Sequence, residues 1–139
     1  MYKTILHPTD LSEHHFHLAE KAVQVAKNFN AKLYLLHVIE PPASLQIAQS
    51  LGFAEFDKPR KEDAQAVLNT LGEALGVPED QQFVEIGSIK THVLDIVSEI
   101  NADLIIVGSH EAGGLPGFLG STAHAVVQKA PCDVLTLRT

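Results

Sequence analysis

Leu104-Ile105-Ile106-Val107 is an unbroken apolar run that ends in Gly108-Ser109-His110. A run of this length without alternation has no polar side to turn to water, so as a strand it must be covered on both faces, as in a parallel sheet under helices. Gly108 gives the chain freedom to turn sharply where the strand stops. After a glycine-rich loop, Gly120-Ser121-Thr122 opens a stretch with Ala123, Ala125, Val126 and Val127 that reads as a helix with a hydroxyl cap. Strand, glycine loop and a helix N-terminus with free amides form the arrangement by which α/β proteins hold phosphate. An ordinary strand-to-helix connection has the same outline.

The rest of the chain repeats this alternation. Lys3–His7 reads as a first strand, closed by Pro8-Thr9-Asp10, because Pro8 has no N–H to give to a ladder. Ser12 stands where a helix N-cap belongs, and Phe16, Ala19, Ala22, Val23 and Ala26 give the following helix an apolar stripe. Residues 31–39 form a second strand, stopped by Glu40-Pro41-Pro42. Leu45, Ile47, Ala48 and Leu51 suggest a short helix, and 52–58 a loop; Pro59 suits the first turn of the next helix. Ala64, Val67, Leu68, Leu71 and Leu75 form that helix's face, and Gly76 its stop. Gln82–Ile86 is a third strand, Val93, Ile96, Val97 and Ile100 mark a third long helix ending near Asn101, and Ser121–Lys129 and Asp133–Leu137 are the last helix and strand. Five strands alternating with helices predict a doubly wound parallel sheet in a single α/β domain spanning 1–139.

Several functions are disfavoured. A formal charge of −7, with no lysine or arginine cluster, argues against nucleic acid, whose binding rests on basic groups meeting phosphates. No stretch approaches the roughly eighteen consecutive apolar residues of a membrane helix. The opening Met1–Leu6 lacks a signal peptide's apolar segment, and Cys132 is the single cysteine, so the expectation is a cytoplasmic protein. Cys132 reads as a packing residue at a strand start.

Met1–Ser12 resembles the opening of the universal stress protein family, as do Leu36-His37-Val38, Ala102–His110, Gly120-Ser121 and Ala130–Leu135. The resemblance spans nearly the whole chain and is weakest at 40–60. It implies strand order 3-2-1-4-5, which places the topological switch between the first and fourth strands, where ligands of open α/β sheets bind. The loops emerging there are Pro8-Thr9-Asp10 and Gly108-Ser109-His110. From nucleotide-binding members, the resemblance implies that Pro8, Thr9, Asp10 and Val38 border adenine and ribose. It implies that Val107 and Gly108 line the same pocket, and that Gly120, Ser121 and Thr122 meet the phosphates. The implied ligand is ATP or another adenine nucleotide, with Mg²⁺ as companion ion. His110 joins the set as a donor to phosphate.

Two departures bear on that expectation. Where the nucleotide-binding motif carries a second glycine, this chain has Glu111, which sets a negative charge beside the phosphate site. The eight residues Ala112–Leu119 also make the loop before Gly120 one residue shorter than the motif, as in the stress-protein-A type. Between Lys90 and Lys129 there is no lysine or arginine, which leaves a phosphate to backbone amides, hydroxyls, His110, His124 and a bound cation.

Eight histidines invite a metal reading, with His14, His15 and His17 closest together, but no His-Glu-x-x-His pattern or cysteine pair accompanies them. A solvated helical turn accounts for them, and His7 and His37, ending neighbouring strands, are read as structural or recognition residues. Asp10 reads as a turn residue. The first strand carries no acidic pair of the receiver-domain kind, and Ser121 lies in no nucleophile elbow. No catalytic residues are assigned. Two functions remain: a stress-response protein that binds an adenine nucleotide with little or no turnover, and a nucleotide-free dimeric interaction module. In both, the last strand, with Val134, Leu135, Thr136 and Leu137, is the expected homodimer edge.

Overall fold

The computed structural model describes residues 1–41, 47, 50–52, 61–109 and 121–138, apart from the side chains of 13, 14, 121 and 122. Strands β1 (Thr4–Pro8), β2 (Lys32–Ile39), β3 (Gln82–Ile86), β4 (Leu104–Gly108) and β5 (Asp133–Leu137) alternate with helices α1 (Glu13–Phe29), α2 (Lys61–Leu75), α3 (Ile89–Ile100) and α4 (Ser121–Lys129). The strands form one sheet in the order β3-β2-β1-β4-β5, and all four pairings are parallel. This is the doubly wound architecture the alternation predicts.

Period-two alternation divides the core between the two sheet faces. Leu6, Leu36, Val38, Ile105 and Val107 point to one side, where Val93, Ile96 and Val97 of α3 and Ala123 and Val126 of α4 cover them. Ile5, Leu35, Val84, Leu104 and Ile106 point to the other, under Ala22 and Ala26 of α1 and Leu68 of α2. Both faces of the central strands are therefore dry, which is why β4 reads as a continuous apolar run.

The helix ends follow local chemistry. The Ser12 hydroxyl accepts the His15 amide at 3.4 Å, and the Ser88 hydroxyl accepts the Thr91 amide at the same distance, capping α1 and α3. Both helices stop at an asparagine in the left-handed region, Asn30 and Asn101, each at φ 54°. Phe16 and Val67 depart from the expected core stripes. They are 37% and 51% exposed, and with Leu11, Thr70, Leu71 and Ala74 they border an apolar groove of about 410 Å³ between α1 and α2. Leu18, absent from the expected stripe, is buried in its place. The expected helix around 45–51, the loop 52–58 and Pro59 fall largely outside the described residues.

Candidate functional site at the carboxyl edge

The sheet opens where the strand order reverses. β1 stays in register with β2 as far as Pro8↔Leu36, and β4 with β5 as far as Gly108↔Leu137. Between β1 and β4, however, the register ends at Leu6↔Ile105, two or three residues earlier. The two ladders thus part at the carboxyl ends of β1 and β4, beside the topological switch, the position at which such sheets bind ligands.

Pro8 is one cause of this early parting. A parallel ladder continued past Leu6↔Ile105 would bring the N–H of residue 8 to the carbonyl of Ile106, and proline has none to offer. The ring of His7 fills the gap. Its Nδ1–H donates to the Ile106 carbonyl oxygen at 2.9 Å. Because the carbonyl can only accept, the ring carries its proton on Nδ1 and leaves Nε2 bare. Nε2 is buried and has no hydrogen-bond partner among the described residues. The side chain is fully buried, and that burial lowers the His7 pKa to about 4, against the raising effect of the Ile106 carbonyl.

Above His7 the chain leaves β1 through a loop tied at both ends by backbone bonds and between them by side chains. Thr9 is buried; its amide donates to the Leu36 carbonyl at 2.8 Å and its carbonyl accepts Nδ1–H of His37 at 2.8 Å. The Thr9 hydroxyl accepts the Leu11 amide at 3.2 Å, and Asp10 Oδ1 accepts the Ser12 amide at 2.8 Å. His15 brackets Asp10: Nδ1 accepts the Asp10 amide at 3.3 Å, and Nε2 lies 3.3 Å from Oδ2. Partial burial pushes the Asp10 carboxyl up, but the Ser12 hydrogen bonds, with His15 and His37 beside it, outweigh this and hold it below its ordinary value. Leu11 sits at φ 65°, a left-handed conformation uncommon for a residue with a full side chain.

Pro8, Val38 and Val107 are buried at the ends of three adjacent strands, and Val38 and Val107 share the face covered by α3 and α4. Thr9 and Asp10 form the loop beside them, and Gly108 ends β4. Ser109 follows with a buried hydroxyl that has no partner among the described residues. Ser121 and Thr122 begin α4, so their amides are among those left free at a helix N-terminus. His110, Glu111 and Gly120 lie outside the described residues, as do the side chains of Ser121 and Thr122.

Sequence reasoning missed three features here. His15, grouped with a solvated turn, has only 22% of its side chain exposed and grips Asp10, whereas His17 is 82% exposed. His7 substitutes for a missing ladder donor, a role signalled by the proline that follows it. The left-handed Leu11 left no signal in its residue type. No group of three or more histidine, cysteine or acidic residues is placed to hold a metal among the described residues. Among those residues no helix is long and apolar enough to cross a membrane.

Comparison with known proteins agrees with this architecture. Universal stress protein A homolog 2 of Coxiella burnetii is 36% identical over 122 residues, covering 87% of this chain and 84% of the relative. Universal stress protein UspA from Lactobacillus plantarum superposes with a TM-score of 0.73 over 99% of this chain and 98% of its own, at 24% identity. A universal stress protein solved in complex with cAMP superposes with a TM-score of 0.65 at 25% identity, over 99% of this chain and 97% of its own. The universal stress protein family profile matches residues 1–138. The chain belongs to the universal stress protein family.

Proposed function

We propose that this single-domain chain binds an adenine nucleotide in the crevice between the loops after β1 and β4, and acts in stress response in the cytoplasm with little or no turnover. The observation that carries the reading is the early parting of β1 and β4 at the topological switch, beside which open α/β sheets bind their ligands. Pro8, Thr9, Asp10 and Val38 supply the base and ribose side, and Val107 and Gly108 the floor. Gly120, Ser121, Thr122 and His110 supply the phosphate side, where amides and hydroxyls at the start of α4 donate to phosphate oxygens. A triphosphate would bring Mg²⁺, because the segment between Lys90 and Lys129 carries no basic side chain. The structural relative that holds cAMP supports a nucleotide of this class. A homodimer through β5 completes the proposal.

Glu111 and the missing cations favour a second reading, a nucleotide-free dimeric interaction module. Ligand released by heat from freshly purified protein and resolved by ion-exchange chromatography separates the two. Adenine nucleotide in the eluate supports the first; none there, with no binding of added ATP and Mg²⁺ at millimolar concentration, supports the second.

A further inference from the structure

His7 and the loop above it form a second device in the same place. The ring is fully buried, its Nδ1–H is committed to the Ile106 carbonyl, and its Nε2 faces no acceptor among the described residues. The titratable groups around it are Asp10 in the loop, His15 on α1 and, one strand over, His37 at the end of β2; β4 contributes the Ile106 carbonyl. A proton on Nε2 would create a buried cation whose new N–H has no partner, a costly state for any fold.

The elements enclosing the ring differ in how firmly they are held. β1, β2 and β4 are joined by ladder bonds. Thr9 keeps one ladder bond, from its amide to the Leu36 carbonyl, and the Ser12 carbonyl is taken by the first turn of α1. Between these ends the amides of Asp10, Leu11 and Ser12 are held by side chains alone, those of His15, Thr9 and Asp10, and Leu11 is left-handed. This loop is therefore the wall that yields first, and its opening lets water, or the carboxylate of Asp10, meet the new N–H. We propose that His7 is an acid trigger beneath the ligand loop: protonation of its Nε2 opens Thr9–Ser12 and dismantles the base-side wall of the site. The loop transition stands by itself, while its consequence for ligand rests on the nucleotide reading above.

With a closed-state pKa of about 4 against an ordinary value of 6.5, full protonation shifts the balance toward the open loop by up to about 300-fold. The effect therefore develops as the pH falls from 6.5 toward 4.

The test follows the His7 ring, the amides of Thr9–Ser12 and the core amides of Ile5, Leu35 and Ile105 by NMR from pH 7 to pH 4, without nucleotide. The expected result is one shared midpoint for the His7 ring and the loop amides, with the core amides unmoved. The variant His7→Asn keeps a donor for the Ile106 carbonyl but takes no proton, and should lack the loop transition. Separate midpoints in the native protein, core amides moving with the loop, or a loop transition unchanged in His7→Asn would each overturn the proposal. In a second arm, AMP is titrated at pH 7 and pH 5. Affinity should fall at least severalfold in the native protein and stay level in His7→Asn. Absence of AMP binding at pH 7 would remove the nucleotide reading and leave the loop transition to stand or fall on the NMR result.

Discussion

The imidazole of His7 gives the Ile106 carbonyl the hydrogen bond, 2.9 Å long, that the backbone of Pro8 cannot. Because the ring of His7 and an N–H restored at position 8 are alternative donors to one acceptor, substitutions at the two positions should be coupled. His7→Leu leaves a buried carbonyl without a donor and should cost about 1–3 kcal/mol of stability. In a Pro8→Ala background, where residue 8 regains its N–H, the same change should cost less by roughly 1 kcal/mol. Urea denaturation of the four proteins at pH 7 measures this, and additive effects would refute the substitution of ring for amide.

The buried ring also makes stability depend on pH. Its folded-state pKa lies below the ordinary 6.5, at about 4, so the neutral ring's contribution is complete above pH 6.5 and is lost as the pH falls through 6.5 toward 4. The ceiling on the loss is about 3 kcal/mol, and opening of Thr9–Ser12 lowers it. Urea denaturation at pH 7 and pH 4.5 should show a smaller drop for His7→Leu than for the native protein. Equal drops would place the acid sensitivity elsewhere.

Gly72 inverts the usual rule for helices. Alanine in place of a helical glycine ordinarily adds about 1 kcal/mol of stability. Here an added Cβ would stand 2.7 Å from the Val77 carbonyl oxygen and collide with the Gln82 side-chain amide, which itself donates to that carbonyl at 3.0 Å. Gly72→Ala should therefore destabilise by roughly 1–3 kcal/mol, measurable as a lower denaturation midpoint. A rise in midpoint would show that the Gln82 contact yields freely.

Much of this fold is legible in the residues because the sheet is covered on both faces. Leu104–Val107 could hardly be anything other than a buried strand, and Ser12 announces the helix it caps. Phe16 and Val67 mislead because a 3.6-residue stripe records which side chains are apolar but not whether a neighbouring element reaches them. The site is legible at its edges for the same reason that the strands are. Pro8, Val38 and Val107 are fixed by register, whereas the grip of His15 on Asp10 depends on a left-handed turn at Leu11 that no residue preference predicts.

β5 is paired on one side, to β4, and among the described residues no strand lies on its other side. Val134 packs toward the α3–α4 face and Leu135 and Leu137 toward the other, and the proposed dimer pairs the outer edge of this strand with that of a second copy. Leu137 gives its carbonyl to Ser109 on the β4 side, so the alternate residues Val134 and Thr136 present their amides to the outer edge. Thr136→Pro removes one of these N–H groups and should break the pairing while leaving the β4–β5 ladder intact. Sedimentation equilibrium at micromolar concentration should give twice the 15.1 kDa chain mass for the native protein, falling toward the single mass in the variant. A native protein of single mass would exclude the dimer.

Changes at the phosphate side should act in a fixed order. Ser121→Ala should weaken nucleotide binding by about 1 kcal/mol or more, the scale of a lost hydrogen bond to a charged group. Glu111→Gly should strengthen it by removing a negative charge and restoring the motif's second glycine. Weaker binding in Glu111→Gly, read by calorimetry, would show that the loop runs differently from the family's nucleotide-binding pattern.

Nucleotide binding beside β1 and β4 is read out by calorimetric titration of ligand-stripped protein with AMP, and with ATP and Mg²⁺, beside the variant Gly120→Val. One nucleotide should bind saturably per chain, and Gly120→Val should abolish this because a branched side chain blocks approach of the phosphate to the backbone. No heat of binding at millimolar nucleotide, or equal affinity in Gly120→Val, would contradict the nucleotide reading.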